Sequence, residues 1–214
     1  MKSWLWLSAA ILLSGQTAQD LETTQRKASE GSAVSQYTLG SMYVQGRGLP
    51  RDYVEGARWF RRAADQGLVG AQVSLGAAYT AGHGVPQDYA EAVRWFRKAA
   101  DQGDSDAQYL LGGMYYQGWG VRQDYVEAAG WYREAADQGN LDAQFFLGSC
   151  YFSGKGVPQD YVQAHMWLNL AASRAVGDAQ KKWSDARDAV AKAMTAEQIA
   201  GAQRLAREWK PTAK

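Results

Sequence analysis

The chain has 214 residues, 46% of them hydrophobic, with 9 Trp and 12 Tyr against only 4 Pro, a composition that excludes wholesale disorder. Its 23 basic and 22 acidic residues are interleaved and leave a formal net charge of +1, so there is no electrostatic reason to expect nucleic acid or an anionic membrane surface as a partner. A single cysteine, Cys150, excludes an internal disulfide framework, and stability has to come from packing.

The first segment reads as an address. Lys2 is the only charge before Asp20, Trp4 to Leu13 is apolar apart from Ser8, and Ser14, Gly15, Thr17 and Ala18 follow. This pattern predicts a secretory signal peptide over 1–18 and a periplasmic or secreted mature chain. The cut itself is not fixed, because Gln16 is a poor residue three places before a bond after Ala18. The apolar run is about half of the ~20 residues that span a bilayer, so no stable membrane span is expected once the leader is removed.

Beyond the leader the chain repeats itself every 36 residues. Leu39-Gly40, Leu75-Gly76, Leu111-Gly112 and Leu147-Gly148 coincide, as do Tyr43, Tyr79, Tyr115 and Tyr151. Glycine pairs follow at Gly46/Gly48, Gly82/Gly84, Gly118/Gly120 and Gly154/Gly156, then Asp-Tyr at 52, 88, 124 and 160. Trp59, Trp95, Trp131 and Trp167 each precede an Ala-Ala pair. A fixed period over four copies is the signature of a repeat architecture. The predicted units are 32–67, 68–103, 104–139 and 140–175.

Each unit reads as two helices. In the third, Ala107, Gln108, Leu111, Gly112 and Tyr115 share one helical face. Gly118-Trp119-Gly120 breaks the helix. Pro50, Pro86 and Pro158 stand just after this break, with Arg122 in the third copy. Asp124 is placed to cap a second helix whose apolar stripe is Ala128, Trp131, Ala135 and Ala136, with Gly139 at its end. Small Gly112 and Ala135 let backbones approach, and large Trp131 and Tyr115 fill the space between neighbouring units.

The ends read as caps. Residues 19–31 resemble a lone second helix, with Ala28 in the register of Ala64. Over 176–210, Asp178-Ala179-Gln180 restarts a first helix. Thr195 and Gln198 then form a capping-box pattern before a last helix presenting Ile199, Ala202, Leu205, Ala206 and Trp209. Residues 211–214 are a tail that Pro211 begins. The expected fold class is therefore all-α, an α/α solenoid of four complete helix-hairpin repeats plus terminal capping helices.

No constellation for catalysis or metal binding emerges, and neither a cofactor nor enzyme activity is expected. Cys150 takes the register of Met42, Ala78 and Met114 and reads as a buried, inert thiol. His83 shares its glycine-flanked position with Arg47, Trp119 and Lys155, which reads as a solvated loop site. His165 replaces Ala57, Val93 and Ala129 and is expected to be partly buried and hydrogen-bonded. Arg58, Arg61, Arg62, Arg94, Arg97 and Lys98 read as a solvated helix face among acidic neighbours.

The motif Leu-Gly-x-x-Tyr-x-x-Gly-x-Gly-Val-x-x-Asp-Tyr followed by Ala-x-x-Trp-x-x-x-Ala-Ala-x-x-Gly resembles the Sel-one-like repeat, a relative of the tetratricopeptide repeat, over about residues 28 to 180. The resemblance implies a right-handed superhelix that binds other proteins on the concave surface lined by the first helices. Many bacterial relatives are exported and act at the cell envelope. Cysteine-rich relatives with a disulfide in each unit have been linked to β-lactam binding, a link that does not carry over to this chain. Positions that vary between copies beside the core grow more aromatic toward the third and fourth units, and give the candidate partner-binding residues Tyr109, Leu110, Tyr116, Phe145, Phe146 and Phe152, with Trp119 in the loop. Aromatics at such positions have two readings, a partner's anchor or packing between units. The expected function is a non-enzymatic scaffold or adaptor for a protein or peptide in the bacterial envelope. The alternative is binding of a cell-wall carbohydrate by stacking on Trp and Tyr.

Overall fold

The computed structural model describes residues 19–212; the leader expected over 1–18 lies outside the described residues. Residues 19–29 form helix α1. Four helix pairs follow: α2 (Ala33–Gln45) with α3 (Tyr53–Asp65), α4 (Val69–Ala81) with α5 (Tyr89–Ala100), α6 (Ser105–Gln117) with α7 (Tyr125–Asp137), and α8 (Leu141–Ser153) with α9 (Tyr161–Arg174). The chain ends on α10 (Gly177–Ala191) and α11 (Ala196–Glu208). Among the described residues there is no strand, and no helix is long and apolar enough to cross a membrane. The fold is all-α and repetitive, and it divides into two compact units between Trp95 and Phe96.

The second helix of every pair starts where a carboxylate can accept from free backbone N–H groups. Asp52 Oδ1 accepts from the amides of Val54 (2.9 Å) and Glu55 (3.0 Å), and Asp88, Asp124 and Asp160 repeat the arrangement. In the first, third and fourth pairs the two helices close on the Leu-Gly step. The leucines at 39, 75, 111 and 147 are fully buried. A Cβ on Gly112 would stand 2.7 Å from the Tyr132 ring, and one on Gly148 2.8 Å from Leu168. Only glycine leaves room for the facing side chain.

The repeats are also joined by a polar ladder. Gln36, Gln72, Gln108 and Gln144 are buried, and each donates through Nε2 to the carbonyl of an alanine in the preceding second helix or cap (Ala28, Ala64, Ala100, Ala136). Gln66 and Gln138 close the arrangement by donating to Gln36 Oε1 and Gln108 Oε1, both at 2.7 Å. In the fourth unit Arg174 stands where those glutamines stand, and Gln144 Oε1 meets no hydrogen-bond partner.

The basic face departs from expectation. Arg61, Arg97 and Arg133 donate to the hydroxyls of Tyr79, Tyr115 and Tyr151 in the following repeat. The Arg61 guanidinium lies 5.2 Å over the Trp95 ring and Arg97 5.5 Å over Trp131. These arginines bridge repeats because their planar heads stack on an aromatic while still donating at the edge. Arg58 and Arg94 remain exposed and pair with Glu55 and Glu91, contacts that contribute little at a surface.

The ends cap the array in different ways. Ala28 of α1 is buried. At the other end α10 begins like a first helix but docks differently. Gln180, in the register of the buried glutamines, is exposed, and Trp183 takes the buried leucine position. Helix α11 opens on the capping box of Thr195 and Gln198 and sets Ala202 and Ala206 into the core beside Trp167. The Thr212 amide donates to the Asp137 carbonyl at 2.8 Å.

Candidate partner-binding surface

In the second unit, α6 and α8 carry the candidate residues, and α7 supplies the ring between them. Tyr109 faces Tyr132 (centroids 6.1 Å apart) and Phe146 (5.7 Å). Phe146 stacks on Tyr132 at 5.4 Å and meets Phe145 edge-on at 5.5 Å. Phe145 in turn stacks on Trp183 of α10 at 5.5 Å. Such offset and edge contacts add to the gain from area burial alone. Tyr109, Phe145 and Phe146 therefore pack within the unit. Burial pushes the Tyr132 phenol far above its ordinary value, and burial together with the nearby Asp142 raises Tyr109.

Leu110 and Tyr116 are half-buried, whereas Trp119 and Phe152 are 46% and 42% exposed. Phe152 keeps a tilted contact with Tyr161 at 5.9 Å. Tyr116 meets Tyr125 edge-on at 5.0 Å, and the Lys155 ammonium lies 5.2 Å and 5.1 Å from the two ring centres while donating to the Tyr116 hydroxyl at 3.1 Å. That hydrogen bond, then the electrostatic influence of the two phenols, raises the Lys155 pKa.

The loop position between paired glycines is thus more than a solvated site. His83, though exposed, stacks on Tyr53 at 4.9 Å with 28° between the ring planes, just as Lys155 rests on Tyr125. At Gly84 and Gly156 the second glycine of the pair brings the loop down onto the preceding repeat. A Cβ on Gly84 would lie 1.9 Å from the Tyr53 carbonyl oxygen, and one on Gly156 1.8 Å from that of Tyr125. Sequence reading missed Tyr132, Trp183, Tyr125 and Lys155. The position of Tyr132 did carry a signal, since it follows the repeated Trp and holds Phe60, Phe96 and Leu168 elsewhere.

Cys150 and His165 are both buried. Cys150 is 1% exposed, and burial pushes its thiol up to about 11, so the nucleophilic thiolate is disfavoured at neutral pH. Among the described residues no group of three His, Cys, Asp or Glu is placed to hold a metal ion. His165 is more deeply buried than its sequence suggests, and its Nδ1 meets no hydrogen-bond partner. Burial first, then Arg187, lowers its pKa below the ordinary 6.5, while Asp188 opposes them. Below about pH 6.5 the unfolded chain takes up a proton at His165 before the folded chain does. Stability attributable to this residue is therefore present above pH 6.5 and is lost as pH falls toward the lower folded-state value. Urea titrations from pH 7.5 to 5.5 should show a steeper fall for the native chain than for His165→Val, the residue found at position 93; parallel slopes would remove His165 as the cause.

Comparison with known proteins agrees with this architecture. The Sel1 repeat model matches residues 33–68, 69–104, 105–140 and 141–176. No curated protein matches the chain in sequence. Among solved structures, it is similar to c5321, a protective antigen present in uropathogenic Escherichia coli strains and displaying an SLR fold, with 46% identity and a TM-score of 0.71 over 73% of this chain. The match covers 33% of that protein, so this chain spans about a third of its length. It is also similar to a Sel1 repeat protein from Oxalobacter formigenes, with 31% identity and a TM-score of 0.74, covering 90% of this chain and 79% of that one. Sel1 repeats are generally non-enzymatic and mediate protein–protein interaction. With four consecutive matched repeats carrying its caps, glutamine ladder and helix-closing glycines, the chain belongs to the Sel1 repeat family.

Proposed function

We propose that this protein is an exported, non-enzymatic scaffold that captures a protein partner in the bacterial envelope on the aromatic surface of its second unit. Trp119 and Phe152 make the first contacts, and Tyr109, Leu110, Tyr116, Phe145 and Phe146 form the support behind them. The observation that carries this reading is the exposure of two large aromatics, 46% for Trp119 and 42% for Phe152. Large aromatics held on a rigid base are efficient anchors, because little side-chain freedom is lost on binding. The expectation of export rests on the leader sequence over 1–18, and fractionating cells that express the intact chain tests it.

The capture experiment places a photo-crosslinker at position 119 or 152 in the intact envelope and identifies what is attached. The double variant Trp119→Ala/Phe152→Ala should lower capture of that protein about tenfold or more, with an unchanged helical circular dichroism signal. Undiminished capture by the folded variant overturns the site. Retention of the purified chain on cell-wall fragments stripped of protein, lost in the same variant, would replace the protein partner with a carbohydrate.

A further inference from the structure

The first unit contains an open cavity of about 370 Å³ whose lining includes Tyr37, Phe60, Ser74, Ala78, Ala81 and His83. Its position in the repeat explains why it is open. Shifted by two repeats, Tyr37, Phe60, Ser74 and Ala78 become Tyr109, Tyr132, Phe146 and Cys150. In the second unit the Phe146 ring lies 5.7 Å from Tyr109 and 5.4 Å from Tyr132. In the first unit Tyr37 and Phe60 keep the same mutual arrangement at 5.7 Å. The residue that would stand on them is a serine. The chain therefore builds one seat for a ring twice, fills it internally once, and leaves it empty once.

We propose that the first-unit cavity is a binding site for the side chain of a phenylalanine presented by a partner polypeptide. The ring would take the place that Phe146 takes in the second unit, against Tyr37 and Phe60, with the Ala78 methyl beneath it. The volume suffices, since a dry apolar cavity of about 150 Å³ already accepts benzene. The mouth is polar, with exposed Gln45 and the stacked pair of His83 and Tyr53, which suits the backbone amides on either side of a buried ring. A polypeptide source follows from the protein-binding role of Sel1 repeats. The site is independent of Trp119 and Phe152, so failure of either surface leaves the other standing.

The probe is N-acetyl-L-phenylalaninamide, titrated into the intact mature chain while the alanine methyl resonances are followed by NMR. The Ala77, Ala78 and Ala81 methyls should show ring-current shifts that saturate with a dissociation constant on the order of millimolar, and N-acetyl-L-alaninamide should leave them in place. Ser74→Phe supplies the ring from within. It should move the Ala78 methyl in the free protein and abolish the response to the probe. Ala81→Leu, a change at the exposed rim, narrows the mouth and should weaken the response at least fivefold even if Ser74→Phe does not fold. Saturating shifts lost in the folded variants support the site. The proposal is overturned by methyls that ignore the phenylalanine probe, or by a folded Ser74→Phe or Ala81→Leu chain that responds like the native one.

Discussion

Trp167→Ala is expected to lower the stability of the protein by about 3–5 kcal/mol, the range for emptying a buried tryptophan site. Trp167 is 2% exposed and lies in the core that joins α7, α8, α9 and α11. Its ring meets Trp209 edge-on at 6.1 Å, and Ala202 and Ala206 belong to the same cluster. Removing the ring takes away the surface on which the last helix is seated, so the loss has a local form as well as a global one. Amides of α11 should exchange faster with solvent, and limited proteolysis should release the segment after Thr195 before the repeats are cut. The indole Nε1 meets no hydrogen-bond partner, so the contribution is apolar, and Trp167→Phe should retain a large part of it. A urea midpoint for Trp167→Ala within error of the native value would mean that α11 is held by something other than this contact.

What could be read from the sequence was whatever each repeat specifies about itself. The aspartates at 52, 88, 124 and 160 announce helix starts, because a capping carboxylate acts within three residues of its own position. Leu39-Gly40 and its copies announce close helix pairing for the same local reason, and Thr195 with Gln198 announces the last cap. What could not be read was which polar groups pair between repeats. Arg61 and Tyr79 appear as a charge on one helix and a polar aromatic on another, and nothing in either helix states that they meet. The buried glutamines recur at a fixed place on the shared helical face, yet nothing in the sequence states which carbonyl each one meets. The candidate aromatics show the difference most clearly. Repetition gave Phe146 and Ser74 the same address, but only the rings around them show that one fills its site and the other opens it. His165 carried the opposite error, a polar residue assumed to find a partner that the packing did not supply.

Two glycine substitutions separate what the loop requires from what glycine merely permits. Gly156 has φ +74°, and a Cβ there would stand 1.8 Å from the Tyr125 carbonyl oxygen and 2.3 Å from its carbon. The obstacle is backbone, which cannot rotate aside, and the left-handed conformation adds a further cost for any other residue. Gly156→Ala is therefore expected to cost about 3 kcal/mol or more. Gly130 sits inside α7 with nothing within 4 Å of its added methyl, so Gly130→Ala should be neutral or gain up to about 1 kcal/mol from helix propensity. In a chain of this size about 1 kcal/mol moves Tm by roughly 2–4 °C, so the two variants should melt on opposite sides of the native protein, or nearly so, and at least ~6 °C apart. The functional consequence follows from position: Gly156 adjoins Lys155, whose ammonium rests on Tyr116 and Tyr125. A loop pushed off Tyr125 carries that lysine away and uncovers both rings. Gly156→Ala should accordingly change the near-ultraviolet tyrosine signal at temperatures where the helices are still intact, and a variant that keeps both the native Tm and the native spectrum would show that the loop does not need to touch the preceding repeat.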